Sequence, residues 1–230
     1  AEQGSAHPAS LAERARGSTV GRDLGVPMES WMQLDAYGQL LGLRAKPESL
    51  DRQVQEALGP VFRLELPVPW AVKASESNER FYFVHLGLEP PMTSWDHPMK
   101  PLHSELVTSL RGAADPGDQI RWEKVRENLL FLVRRTAGAD CLASFGTWET
   151  SPTLSSRKDR SGVPKTAYHD PKTGRVRSDD PKLAAASFVG VSLMALRVAW
   201  EHTVAKHLPD GGSAFPYGDS EIWSIAAQTA

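Results

Sequence analysis

Four side chains that could bind a metal ion or exchange protons lie within one proline-rich stretch, SWDHPMKPLHSE, at residues 94–105. They are Asp96, His97, His103 and Glu105. Carboxylates and neutral imidazoles are the ligands of zinc and of non-haem iron. The group therefore supports one hypothesis, an enzyme of unknown class with a pocket beside this stretch and with residues 151–182 as a lid. The spacing matches no common metal motif, so a polar loop with incidental histidines is the simpler interpretation.

Other catalytic signatures are absent from the sequence. It contains no HExxH, CxxC, GxSxG, GxGxxG or GxxxxGK[ST] pattern. The single cysteine, Cys141, lies in an apolar segment with no base nearby in sequence, where a thiol is inert. His202 and His207 are five residues apart on a predicted helix and therefore point in different directions. These features favour a protein that is not an enzyme and uses no cofactor.

A second group of reactive side chains occupies the turn-rich stretch 151–182. It holds eight Lys and Arg residues against four Asp residues, a surplus of four positive charges in a chain of net charge −2. Residues 170–174 (DPKTG) have the composition of a tight turn, so we expect a protruding β-hairpin with arms at 167–169 and 175–177. Cations on such a hairpin can neutralise phosphates, and Tyr168 can stack on a base.

The main functional hypothesis is accordingly a nucleic-acid-binding or nucleoprotein-assembly subunit. It would hold DNA or RNA by the phosphate backbone with low sequence specificity, and it would associate with itself or with other protein subunits. The interspersed aspartates also fit a solvated insertion, or an adaptor protein that docks an acidic protein partner. The predicted nucleic-acid contacts are Arg157, Lys158, Arg160, Lys165, Tyr168, Lys172, Arg175 and Arg177, with Arg134 and Arg135 at the end of a neighbouring helix.

Length and composition place these groups in a folded protein. The chain has 230 residues, of which 40% are hydrophobic, and seven are tryptophan, which excludes wholesale disorder. We expect an N-terminal arm at 1–25 and a single α+β domain at 26–230 with the basic insertion 151–182. The apolar run 183–196 is shorter than the roughly 20 residues of a membrane span, so we expect a cytoplasmic protein without a membrane partner.

The N-terminal half of this domain should combine a helical hairpin with a small antiparallel sheet. Helical spacing of apolar residues predicts one helix at 28–43 and a second that begins near Pro47 and is stopped by Gly59-Pro60. The alternation of Phe62, Leu64 and Leu66 predicts a strand. We expect it to pair with a second strand at 80–86, which is apolar on both faces.

The C-terminal half should be mostly helical. A helix is predicted at 102–111, and another at 116–137, capped by Asp115 and ended by a left-handed Gly138. A strand is expected at 140–148, and a central helix at 183–208 is apolar on almost all sides. Its Ala186 and Gly190 should allow a neighbouring backbone to approach closely, and a short terminal helix should begin at Asp219.

Overall fold

The architecture was obtained as a computed structural model, which describes residues 34–44, 46, 49–75, 81–138, 148–151, 166–208 and 214–229. Helices and two small antiparallel sheets make up this part of the chain, so the predicted α+β class is confirmed. The expected N-terminal arm, all but the last residue of the expected strand at 140–148, and Cys141 lie outside the described residues.

The bounds of the elements are as follows. The helices are α1 Leu34–Leu40, α2 Leu50–Phe62, α3 Lys100–Arg111, α4 Trp122–Ala137, α5 Pro181–His202, α6 Val204–His207 and α7 Asp219–Thr229. The strands are β1 Trp70–Ala74, β2 Phe81–His85, β3 Leu88–Glu89, β4 Met92–Ser94, β5 Glu149–Ser151, β6 Ala167–His169 and β7 Val176–Arg177.

The helix α5 is the centre of the core. It packs against α2, α4 and α7, as expected for a helix that is apolar on almost all sides. Gly190 lies directly under the ring of Trp223 on α7, so close that a Cβ atom at this position would overlap the indole. The neighbour that requires glycine at position 190 is therefore an aromatic side chain, whereas a neighbouring backbone was predicted there. Helical structure breaks at Thr203, whose hydroxyl donates to the carbonyl of Ala199 at 2.6 Å.

The end of α2 differs from the prediction, because Gly59-Pro60 does not stop this helix. Val61 and Phe62 are fully buried at the end of the stripe formed by Val54 and Leu58. Burial of these two side chains contributes about 1.5–3 kcal/mol each. That gain offsets the cost of about 3 kcal/mol for a proline inside a helix. The expected strand at 62–66 is consequently wrong, since Phe62 belongs to the helix and the chain turns after it.

The start and the end of α4 also differ from expectation. The carboxylate of Asp115 accepts hydrogen bonds from the backbone nitrogens of Gly117 and Gln119 at 2.9 and 3.0 Å, and so holds a tight loop. This local turn competes with the predicted helix cap, and α4 begins only at Trp122. Gly138 ends the helix in extended conformation, so the expected left-handed termination is wrong.

The first sheet has the strand order β1-β2-β4 and is antiparallel throughout. The strand expected at 80–86 is confirmed as β2, but its partner is β1, with Trp70 opposite His85 and Lys73 opposite Tyr82. Pro67 and Pro69 therefore precede the first arm of the hairpin, where they lack the amide hydrogens of a ladder.

The second sheet has the order β3-β7-β6-β5 and contains the predicted basic hairpin. Its two arms pair through Tyr168 with Arg177 and through His169 with Val176. The connection between β2 and β4 contributes β3 to this sheet, because Leu88 pairs with Arg177. The two sheets are therefore joined through the segment 86–91.

One described stretch, 181–207, passes the length and composition test for a membrane-crossing helix. Most of its apolar window is buried inside the protein, which is typical of a core helix in a soluble protein.

Candidate functional site

The largest exposed aromatic side chain on the first sheet is Trp95, which directly follows β4 and is 61% exposed. Its ring contacts that of half-buried Tyr82 on β2, with 5.8 Å between centroids and 61° between planes. The ladder between β2 and β4, in which Phe83 faces Ser94, brings Tyr82 opposite Trp95 on one face of the sheet. We call these two rings the aromatic ledge.

Short polar contacts fix the backbone that carries Trp95. The hydroxyl of Ser94 accepts from the backbone nitrogen of Asp96 and donates to its carbonyl, both at 3.0 Å. The carboxylate of Asp96 accepts from Lys100 Nζ at 2.6 Å, at the start of α3. The exposed ring is thus held by a closed turn between a strand and a helix.

The aromatic ledge is connected to the core through the opposite face of β2. Phe83 packs its ring edge-on against His97 at 5.0 Å, and His97 lies 5.1 Å from His103. The hydroxyl of Tyr37 on α1 and His103 Nδ1 form a buried hydrogen bond of 2.8 Å. These contacts connect the first sheet to the helices, so the strand that carries Tyr82 is packed against the core.

Burial sets the protonation of this internal cluster. Burial lowers the pKa of His103 to about 3, and burial together with neighbouring His103 lowers the pKa of His97 well below its usual value. Burial, with a contribution from Asp96, raises the pKa of Tyr37. The imidazoles are therefore neutral and the phenol protonated at neutral pH, and these forms can share the hydrogen bond between Tyr37 and His103.

The four residues of the predicted enzyme site do not form one group, although His97 and His103 are neighbours in the core. His97 and His103 are buried, whereas Asp96 pairs with Lys100 and Glu105 pairs with Arg135 on α4. Within the part of the chain that the structure describes, no three His, Cys, Asp or Glu side chains are grouped to hold a metal ion. These residues have structural contacts in the described part of the fold.

The turn of the basic hairpin is organised by Asp170. Its carboxylate accepts from the Thr173 hydroxyl at 2.5 Å and from the backbone nitrogen of Lys172 at 2.9 Å. These hydrogen bonds lower the pKa of Asp170. Gly174 has a φ of +69°, the left-handed conformation that the turn requires at this position. The turn predicted from DPKTG is thus confirmed.

The predicted phosphate-binding residues of the hairpin fall into different environments. Lys172 and Arg175 are exposed, and Tyr168 is half-buried. Arg177 is only 3% exposed; it donates to the Asp179 carboxylate at 2.5 and 3.0 Å and lies over the Trp148 ring at 5.0 Å. Its guanidinium is thus engaged inside the protein. The remaining four, Arg157, Lys158, Arg160 and Lys165, lie outside the described residues.

The two predicted arginines on α4 also differ. Arg134 is exposed, while Arg135 pairs with Glu105 across the gap between α4 and α3. That gap is a groove of about 450 Å³ lined by Phe131, which is 64% exposed.

Sequence reasoning did not identify the aromatic ledge. The available signal was a tryptophan in a polar, proline-flanked turn, where no buried face is expected. No known protein family, no curated protein and no solved structure matches this chain.

Proposed function

We propose that this chain is a protein-interaction module that binds an extended, proline-rich peptide on the aromatic ledge of Tyr82 and Trp95. The observation that carries the proposal is that Trp95 is 61% exposed and yet in ring contact with Tyr82. Tryptophan and tyrosine are the residues that most often dominate binding energy at protein interfaces. A fixed aromatic surface of this kind has a cost in solvent unless a partner covers it.

The geometry favours proline over other side chains. A polyproline II segment is extended and has no internal hydrogen bonds. Its proline rings project outward along the segment, so one of them can contact both aromatic side chains of the ledge. Since proline restricts the free peptide, less conformational entropy is lost on binding. The rings of Tyr82 and Trp95 meet edge to face at 61°, and the proposal places a single pyrrolidine ring in the angle between them.

Strand addition is a poorer fit to the same sheet. Pro67 and Pro69 precede the edge strand β1, and Pro90 and Pro91 precede the other edge strand, β4. Proline removes the amide hydrogens that an added strand needs, and it is a common protection of sheet edges. These prolines limit any added strand to the short edges Trp70–Ala74 and Met92–Ser94, whereas the ledge offers side-chain contacts.

The charge next to the ledge indicates the flanking residues of the peptide. Lys73 on β1 is opposite Tyr82, while Asp96, the residue after Trp95, is paired with Lys100. We therefore expect an acidic residue beside the prolines. The proposal is thus a more specific form of the adaptor hypothesis, in which the chain docks an acidic protein partner. We also propose that the protein is cytoplasmic.

The test is a titration with a ten-residue proline-rich peptide carrying one glutamate, against a peptide in which alanine and serine replace the prolines. Docking should shift the tryptophan fluorescence to shorter wavelength with a micromolar to submillimolar Kd. Trp95→Ala should abolish binding, whereas Phe131→Ala, which removes an equally exposed ring on α4, should leave it unchanged. Equal affinity for both peptides, or full binding by Trp95→Ala, would refute the proposal.

A second candidate function is the nucleic-acid binding predicted from the sequence. It is favoured by the exposure of Lys172 and Arg175 on a well-formed turn. We would titrate labelled single-stranded RNA, single-stranded DNA and duplex DNA at low and near-physiological salt. Replacing both cations by glutamine should reduce the salt slope of binding by about two, one for each lost phosphate contact. An unchanged slope would exclude Lys172 and Arg175 as phosphate contacts, and no binding at low salt would reject this function.

A further inference from the structure

A cavity of about 280 Å³ lies on the face of the first sheet opposite the aromatic ledge. The first sheet, the second sheet and α5 all contribute to its walls. Most of the lining is apolar, with Pro67, Pro69, Trp70, Met92, Trp148 and Phe188 as its main components. Mostly apolar pockets with a few convergent polar groups are typical small-molecule sites.

The buried polar group of this cavity is His85. The residue is 9% exposed, and its Nδ1 makes no hydrogen bond with any group in the described part of the chain. The ring of Trp70 packs edge-on against the imidazole at 5.1 Å. A buried nitrogen without a partner costs about 1–3 kcal/mol, which a ligand hydrogen-bonded to it would recover. A water molecule needs two to four polar partners, and the apolar lining beside Nδ1 offers few.

The charges at the cavity favour an anion. Arg175 and Arg177 both line it, and Arg177 is neutralised by Asp179, which leaves the charge of Arg175. Burial and the nearby charge of Arg177 lower the pKa of His85 to about 4, so its imidazole is neutral at physiological pH. A neutral imidazole can donate through Nδ1 when the proton resides there.

The volume limits the size of the ligand. An apolar cavity of about 150 Å³ accommodates benzene. At about 280 Å³, this cavity has room for two fused rings with a short substituent. The aromatic and proline side chains of the wall provide flat apolar surface on which such rings can pack.

We propose that this cavity binds a small two-ring aromatic carboxylate, whose rings pack among Trp70, Trp148 and Phe188 and whose carboxylate accepts a hydrogen bond from His85 Nδ1 beside Arg175. The site is separate from the aromatic ledge, because His85 and Tyr82 project from opposite faces of β2. It does not depend on the proposed peptide binding.

The experiment is calorimetric titration of the full chain with 2-naphthoate and with its neutral isostere 2-naphthamide. We expect 2-naphthoate to bind at one site, and 2-naphthamide to bind roughly tenfold more weakly because it lacks the charge that Arg175 favours. His85→Leu and Arg175→Gln should each weaken 2-naphthoate binding by roughly the same factor. His85→Asn should retain most of the affinity, since an asparagine side chain places its amide near the position of Nδ1.

The controls separate this site from other surfaces. Arg134→Gln removes an exposed arginine on α4 and should leave binding unchanged, as should Trp95→Ala. Arg175 is an exposed turn residue, so its variant remains informative if His85→Leu does not fold. No binding of 2-naphthoate would overturn the proposal, as would equal affinity for the amide or loss of binding in Trp95→Ala alone.

Discussion

The buried histidines should make the stability of this protein fall steeply between pH 7 and pH 5. In the folded protein burial lowers the pKa of His85 to about 4 and that of His103 to about 3, and it lowers the pKa of His97 well below its usual value. In the unfolded chain each histidine takes up a proton near pH 6.5. Between pH 6.5 and the folded pKa the unfolded state therefore binds more protons, so stability is complete above pH 6.5 and decreases as the pH is lowered.

The magnitude follows from the two pKa values. For a histidine that stays neutral in the folded state, lowering the pH from 7 to 5 costs about 2 kcal/mol of unfolding free energy. The pair His97 and His103 should therefore account for about 4 kcal/mol, and His85 alone should add about 2 kcal/mol more. Carboxylates titrate mainly below pH 5, so this window isolates the histidines.

Urea denaturation followed by tryptophan fluorescence at pH 7 and pH 5 measures this difference, provided that the slope with denaturant is the same at both pH values. The double variant Tyr37→Phe/His103→Leu removes both partners of the buried hydrogen bond, which limits the loss of stability itself. Its difference between the two pH values should be about 2 kcal/mol smaller than in the original protein. His202→Gln, at an exposed position, is the matched control. A difference below about 1 kcal/mol in the original protein would refute neutral burial of these imidazoles.

Two glycine substitutions test the packing that holds the elements together. Gly190→Ala should destabilise the protein by about 1–3 kcal/mol in thermal or urea unfolding, because the new methyl group displaces the Trp223 ring. Gly218→Ala, where a Cβ meets no atom within 4 Å, should change stability by less than about 0.5 kcal/mol, and equal effects would contradict the packing argument. Gly87→Ala should displace the Asp179 carboxylate from its almost fully buried arginine partner, at a cost of about 3 kcal/mol. Unchanged urea unfolding in that variant would show that the ion pair tolerates the displacement.

Strong local signals in the sequence were sufficient to predict several elements of the fold. The apolar helix around Gly190, the terminal helix from Asp219 and the DPKTG turn follow from periodicity, capping and turn chemistry, which involve neighbours along the chain. Local rules failed where distant packing decides the outcome. Gly59-Pro60 is a strong stop signal by itself. The helix nevertheless continues past Pro60, because helical structure at Val61 and Phe62 buries both side chains in the core.

The candidate site could not be derived from the sequence for a related reason. The strand containing Tyr82 is apolar on both faces, so its pattern does not indicate which side chains face solvent. Its hairpin partner was predicted to be 62–66, and an incorrect partner leaves the register with β4 unknown. Only that register brings Trp95 opposite Tyr82. The burial of Arg177 was hidden similarly: its ion-pair partner Asp179 is two residues away along the chain, but Trp148 reaches it only through the fold.

The alternation of side chains in β2 gives the first sheet two chemically different faces. Tyr82 supports the exposed ring of Trp95 on one face, while His85 and Trp70 close the cavity on the other. The two proposed binding sites would share the backbone of β2 but no side chain. Their binding free energies should therefore be nearly additive, as is usual for sites without shared partners. Saturation with 2-naphthoate should leave the affinity for a proline-rich peptide unchanged, and strong coupling would mean that both ligands compete for a single surface.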